Sequence, residues 1–283
     1  VSKLLRQRWG LNRPPSGPFT INHASPQSIG LVAWWPTLGS QGTTVLRDLA
    51  GAYDADLAAG AARPTWILDP TVGWILSYDG GDYVDTNTET VGSTGLFCQA
   101  AESFSVSVWH VIGGASTGTV VARGVAAIAN RTFQIFFAGP ANSTPTVVLR
   151  GSVNNTNAGL RDGTLHLSTV TWDGIVARYY ADGRFHSNLN VGAAAENAGQ
   201  RIIIGARTNG AAYYLTGSIG PVRIYDRALI DTTNWQLYDP ATRWELYKPT
   251  RRLWQVKAPA AIGIFPPVPG AIHRLRKFPH LRM

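Results

Sequence analysis

Glutamate and lysine are nearly missing from this chain. Four of each occur in 283 residues, Glu89, Glu102, Glu196 and Glu245 against Lys3, Lys248, Lys257 and Lys277. Both are good helix formers, so their scarcity argues against a helical protein. Cysteine is scarcer still. Cys98 stands alone, which excludes an intrachain disulfide and reads as a small buried apolar side chain. No uninterrupted apolar run of about 18 residues exists, so no spanning helix is expected. The opening Val1-Ser2-Lys3-Leu4-Leu5-Arg6 meets Gln7 and Arg8 before an apolar leader core develops, and a chain without a signal peptide is expected.

Glycine (30) and proline (17) are plentiful instead, among many Thr, Ser and Val. That composition suits strands joined by turns. Ser103 to Trp109 alternates with period two and puts Phe104, Val106 and Val108 on one face. Leu165 to Trp172 follows, with Leu167, Thr169 and Thr171 on one side. Asp173-Gly174 leads to Ile175 to Ala181, and Asp182-Gly183 to the next strand. Each Asp-Gly signals a two-residue hairpin turn, which predicts a three-stranded meander. Further strands are expected at Ile29 to Trp35, Ile75 to Tyr78, Thr119 to Arg123, Thr132 to Phe137, Thr146 to Leu149, Arg201 to Ala206 and Tyr213 to Tyr225. One helix is expected at Asp231 to Leu237, across one end of the body and capped by the Asp231 carboxylate. The fold class is all-β: a two-sheet antiparallel β-sandwich with extended basic arms.

The net charge of +8 divides into three blocks. Residues 1–28 carry four basic side chains and no acid, and 241–283 carry nine basic side chains against Glu245, which leaves 29–240 at −4. The expected organisation is an N-terminal arm 1–28, a body 29–240 and a C-terminal arm 241–283. Both arms are rich in Pro, Trp and Phe. Proline favours extended chain, and exposing so many rings to water gains nothing, so the arms are read as lying on another surface. Arginine suits such contacts because its planar fork pairs carboxylates and stacks on rings. The docking residues expected are Trp9, Arg13, Arg243, Trp244, Arg251, Arg252, Trp254, Arg274 and Arg276.

Gly30-Leu31-Val32-Ala33-Trp34-Trp35-Pro36, Leu76-Ser77-Tyr78-Asp79-Gly80-Gly81-Asp82-Tyr83-Val84, Thr171-Trp172-Asp173-Gly174 and Gly217-Ser218-Ile219-Gly220-Pro221-Val222-Arg223-Ile224-Tyr225-Asp226 resemble the successive pieces of concanavalin A-like, laminin G-like jelly rolls. The order and spacing hold over about 200 residues. A narrower likeness lies in Arg243-Trp244-Glu245-Leu246-Tyr247-Lys248-Pro249-Thr250-Arg251-Arg252-Leu253-Trp254, which is similar to the tail following such domains in bacteriophage virion proteins. It implies a structural virion protein assembled in the bacterial cytoplasm, a capsid decoration or fibre type. Its partners would be a major capsid protein or other virion subunits, and it would be present in many copies or as a homo-oligomer.

Many jelly rolls of this kind hydrolyse glycosides, a reaction that needs two carboxyl groups about 5 to 5.5 Å apart in retaining enzymes. Asp54 with Asp56, and Asp82 with Asp85 and Glu89, are the nearest approaches, and they read as solvated loop acids. There is no Gly-x-Ser-x-Gly, and the six histidines are scattered; His110 and His166 fall inside strand patterns. The expectation is a non-enzyme without a cofactor. Calcium is the weak exception. The family resemblance implies an acidic loop, which Asp79, Asp82 and Asp85 partly preserve, while Ile219-Gly220-Pro221-Val222 lacks the acids expected near the last strand. The alternative function is recognition of cell-surface glycans. Trp35, Tyr83, Tyr180 and Tyr213 are the candidate ring platforms, with alternation sending one ring of each adjacent pair outward. Nucleic-acid binding ranks lowest because the basic residues form no dense run and the body is acidic.

Overall fold

A computed structural model describes residues 19–38, 42–51, 53–86, 103–114, 116–124, 131–139, 144–193, 201–207 and 213–250. The chain divides after Thr250. The described residues up to 250 form one compact unit, and 1–18 and 251–283 lie outside the described residues. The strands, in chain order, are β1 (Phe19–Ile21), β2 (Leu31–Trp35), β3 (Val45–Leu46), β4 (Ala55–Leu57), β5 (Thr65–Asp69), β6 (Gly73–Asp79), β7 (Val84–Asp85), β8 (Phe104–Val111) and β9 (Gly118–Gly124). They continue as β10 (Arg131–Phe137), β11 (Thr146–Leu149), β12 (Ser152–Asn155), β13 (Leu165–Trp172), β14 (Ala177–Ala181), β15 (Arg184–Leu189), β16 (Ile202–Ile204), β17 (Thr216–Tyr225) and β18 (Tyr247–Pro249), with a helix α1 (Asp231–Tyr238) before the last.

Two eight-stranded antiparallel sheets face each other, as the all-β reading expects. The front sheet runs β15-β14-β13-β8-β17-β6-β5, with β2 also on β17, and the back sheet runs β12-β11-β10-β9-β16-β7-β4-β3. β17 serves β6 with its first half and β2 with its second. The change falls at Gly220-Pro221, where its register against β8 also shifts. Proline has no N–H for the ladder, so a break at this point is expected. Inward-facing Phe104, Val106 and Val108 of β8 meet Phe133, Ile135 and Phe137 of β10 and Val147 and Leu149 of β11 in the core between the sheets.

The meander β13-β14-β15 forms as expected, with one change. Asp182 and Gly183 both have positive φ (51° and 75°), the two-residue hairpin that Asp-Gly predicts. The Asp173 turn instead spans four residues. Its carboxylate accepts the Ile175 and Val176 amides at 2.8 and 2.6 Å, so β14 begins at Ala177 rather than Ile175.

A third layer covers the outer face of the front sheet, and strand alternation gave no hint of it. Leu229, α1 through Leu237, the turn through Trp244 and Leu246, and β18 through Tyr247 pack on Trp34, Trp109, Leu167 and Tyr225. The helix therefore lies over the sheet rather than across one end. Asp231 is its first residue and not its cap; Ile230 holds the cap position, and the Asp231 carboxylate accepts the Tyr180 hydroxyl at 2.7 Å. β1 pairs with β18, Phe19 opposite Pro249 and Ile21 opposite Tyr247. Residues 19–28 and 241–250, expected in the arms, thus belong to the body. Among the described residues no helix is long and apolar enough to cross a membrane.

Candidate functional site

Two of the four expected platforms are unavailable, for the same reason. Trp35 points between the sheets, fully buried, with its indole N–H donating to the Tyr53 carbonyl at 2.7 Å. Tyr180 points outward from the front sheet as alternation predicts, but the third layer buries it beneath α1. The alternation was right for both pairs, Trp34/Trp35 and Tyr179/Tyr180. The outward side of these strands is covered by the third layer and does not face solvent.

Tyr83 and Tyr213 come to one end of the body, joined there by Tyr214. The Tyr83 and Tyr214 rings lie 6.5 Å apart, and both are half-buried. Tyr213 is 53% exposed, and the Arg207 guanidinium stacks over its ring at 4.2 Å. Backbone contacts hold the rings in place. The Tyr213 carbonyl accepts the Thr119 amide at 2.8 Å, and the Leu215 amide donates to the Gly205 carbonyl at 2.7 Å. Close approach requires glycine at Gly118, where a Cβ would stand 2.2 Å from the Tyr214 carbonyl oxygen. Tyr213 itself sits at φ 54°, a left-handed conformation that costs a bulky residue on the order of 1–2 kcal/mol. The ring is thus held outward at an energetic cost, with its stacked cation beside it, and such outliers cluster at ligand sites.

A second pairing of exposed rings and a cation lies outside the residues expected from the sequence. Arg184 lies over Trp235 at 5.4 Å, with Phe185 beside Tyr180 at 6.0 Å; Trp235 and Phe185 are 39% and 49% exposed. Phe185 follows the Asp182-Gly183 turn on an edge strand, a signal that could have found it.

Of the docking residues expected in the arms, Arg243 and Trp244 are core residues. Trp244 packs edge-on against Tyr247 at 5.4 Å, and Arg243 lies over Trp109 at 5.5 Å, both almost fully buried. Because β18 returns to pair with β1, this stretch is the last piece of the third layer and cannot reach a neighbour. Trp9, Arg13, Arg251, Arg252, Trp254, Arg274 and Arg276 lie outside the described residues.

Of the calcium candidates, Asp79 and Asp82 lie side by side and Asp85 is paired elsewhere. Asp79 accepts the Gly81 amide and Asp82 accepts the Asp79 amide at 2.9 Å, whereas Asp85 turns to Arg201 at 2.8 Å. Among the described residues no group of three or more His, Cys, Asp or Glu could hold a metal ion. Burial pushes the Asp82 carboxyl above its ordinary value, and the Asp79 carboxylate beside it adds to the rise against the hydrogen bond from the Asp79 amide. Asp82 is buried, whereas Asp79 is exposed.

A Ser–His contact also exists, His110 Nε2 to Ser168 Oγ at 2.8 Å, with Ser168 on to the Tyr179 hydroxyl at 2.6 Å. It lacks what a hydrolase needs. Both residues are fully buried, His110 Nδ1 has no partner among the described residues, and burial pushes the imidazole down to about 3. A base that weak takes no proton near neutral pH. His166 is instead clamped between Asp182 (2.9 Å) and Asp162 (3.0 Å), tying β13 to the turns on either side of it.

A family model described as the concanavalin A-like lectin/glucanases superfamily matches residues 79–233, more than half of the chain. The chain belongs to this superfamily. No curated protein matches it in sequence. Among solved structures it is similar to a Trypanosoma rangeli sialidase in complex with sialic acid (TM-score 0.53, 16% identity, 74% of this chain and 33% of that one). It is also similar to domain 4 of the extracellular arabinanase AbnA from Geobacillus stearothermophilus, in complex with arabinotriose (0.56, 15%, 74% and 98%). A third is botulinum neurotoxin type C, whose cell entry depends on two ganglioside molecules (0.53, 16%, 75% and 51%). The chain spans about a third of the length of the sialidases it matches. At these identities the likeness is one of fold.

Proposed function

We propose that this superfamily member is a non-catalytic glycan-recognition module whose binding surface is formed by Tyr83, Tyr213, Tyr214 and Arg207. The observation that carries the reading is Tyr213, exposed, left-handed and stacked by Arg207. A ring held in that way offers a flat apolar face to the C–H side of a sugar, and the guanidinium beside it offers donors to sugar oxygens. The sialic acid, arabinotriose and gangliosides named for its structural relatives lend support to a carbohydrate ligand. No reaction is assigned: Asp54, Asp85 and Asp173 pair with Arg47, Arg201 and Arg178, and Asp162 and Asp182 with His166.

The test is a glycan array followed by calorimetry on each ligand found. Covering about 50 Å² of the Tyr213 ring is worth about 1.3 kcal/mol at ~25 cal/mol per Å², so Tyr213→Ala weakens binding roughly tenfold. Arg207→Ala weakens it as well, and Phe185→Ala leaves it unchanged. Unaltered binding by Tyr213→Ala, or turnover of any glycan, sinks the proposal.

The charge distribution favours a second role for the same chain. The basic, ring-bearing stretches 1–18 and 251–283 fasten the module to a multi-copy assembly, a bacteriophage virion with a major capsid protein as the neighbour. Deleting 251–283 then leaves the body folded and glycan binding intact while the protein is lost from particles. Full retention on particles refutes this role without touching the glycan site.

A further inference from the structure

We propose that Arg223 anchors a site for a compact anion between the front sheet and the β1–β18 ribbon. Arg223 lies on the outward face of β17, paired across strands with Trp34 on β2 and Ser107 on β8, and is 3% exposed. Its guanidinium sits over the Trp34 ring at 5.7 Å. The hydroxyls of Tyr225, two residues along the same face, and Tyr247 of β18 are beside it. Burial raises both tyrosine pKa values, Tyr247 to about 12, and the neighbouring guanidinium opposes the rise in each. The Phe19 ring lies 4.6 Å from that of Tyr247 and 5.9 Å from that of Trp34.

Several other arginines of the body meet a carboxylate or a carbonyl. Arg47, Arg178 and Arg201 pair with Asp54, Asp173 and Asp85. Buried Arg161 donates to the Gly139 and Ser116 carbonyls, and Arg243 feels Asp239 and Asp69. Arg223 has no carboxylate at ion-pair distance among the described residues, and its Nε and Nη1 have no hydrogen-bond partner there. The indole N–H groups of Trp34 and Trp244, in the same packed cluster, are unpartnered among the described residues.

Donors therefore outnumber acceptors around a buried positive charge. Ring stacking and tyrosine oxygens satisfy part of the guanidinium, but neither supplies negative charge. A tyrosine oxygen that accepts from Arg223 turns its own proton back toward the same region. A halide, a carboxylate or a phosphate oxygen would supply the negative charge that Arg223 lacks, and the rings of Trp34, Phe19 and Tyr247 packed around it favour a small one. Such an ion would link β17 to β18 and stabilise the third layer.

The test compares full-length protein at constant ionic strength in gluconate, a bulky anion, with stepwise replacement by chloride, acetate or phosphate. The melting temperature should rise saturably with at least one of them. The anion with the lowest midpoint identifies the source as halide, carboxylate or phosphate. Arg223→Gln should abolish the saturable rise, and Tyr225→Phe should raise the midpoint at least threefold. If Arg223→Gln fails to fold, chloride-35 line broadening in wild type against Tyr225→Phe decides. Identical responses to all anions, or equal responses in wild type and both variants, would overturn the proposal.

Discussion

Replacing Trp244 tests the boundary of the body most directly, because the charge pattern puts this residue in an arm and the packing puts it in a core. In an arm, Trp244→Ala changes docking and leaves stability alone. In the third layer it removes an indole that is 6% exposed and packed edge-on against Tyr247. Burial of that order costs about 3–5 kcal/mol on truncation to alanine. The lower end applies, about 3 kcal/mol, because the indole N–H has no partner among the described residues and its removal orphans no acceptor. Against a total of roughly 5–15 kcal/mol this is a large fraction. Urea unfolding reads it as a lower midpoint at an unchanged slope. Trp235→Ala is the control: 39% exposed and stacked by Arg184, it should lose about 1 kcal/mol or less. A loss at Trp244 below about 1 kcal/mol, or no larger than at Trp235, refutes the placement of 241–250 in the body.

The His166 clamp gives stability a pH dependence. Hydrogen bonds to Asp182, then to Asp162, raise its pKa above the ordinary 6.5 against the opposing effect of burial, while Thr164 and His166 hold the Asp162 carboxyl down to about 2. The added stability is complete below about pH 6.5 and is lost as pH climbs through the raised value. Melting temperatures from pH 5 to 8 should fall more steeply for wild type than for His166→Asn; parallel slopes contradict the clamp. Two glycines with positive φ separate backbone strain from crowding. At Gly183 a Cβ would meet Tyr238, Asn234 and Trp235 of α1 within 2.8–3.0 Å, whereas at Gly174 nothing lies within 4 Å. Gly174→Ala should cost about 1 kcal/mol for the dihedral alone and Gly183→Ala at least about twice that by urea unfolding. Equal losses would mean that α1 does not sit on the β14–β15 turn.

The sheets were legible because their signals are local. Alternation along Phe104 to Trp109 and Leu165 to Trp172, the Asp182-Gly183 turn and the near absence of Glu and Lys each act over a few residues, and the strands formed where those signals lie. What each face of a strand meets is not a local property. Period two states that Trp34 and Trp35 point to opposite sides, and both statements hold. That both sides are interior depends on residues two hundred positions away, α1, Trp244 and Tyr247, folding back over the front sheet. The same return makes Trp244 a core residue inside a basic stretch whose composition resembles that of a free arm. Nor does composition reveal the left-handed conformation of Tyr213 under Arg207, since that geometry arises where Gly118 lets the distant backbone of Tyr214 and Leu215 approach. Sequence periodicity was sufficient for the strands; long-range packing decided which rings remain in water and are able to bind.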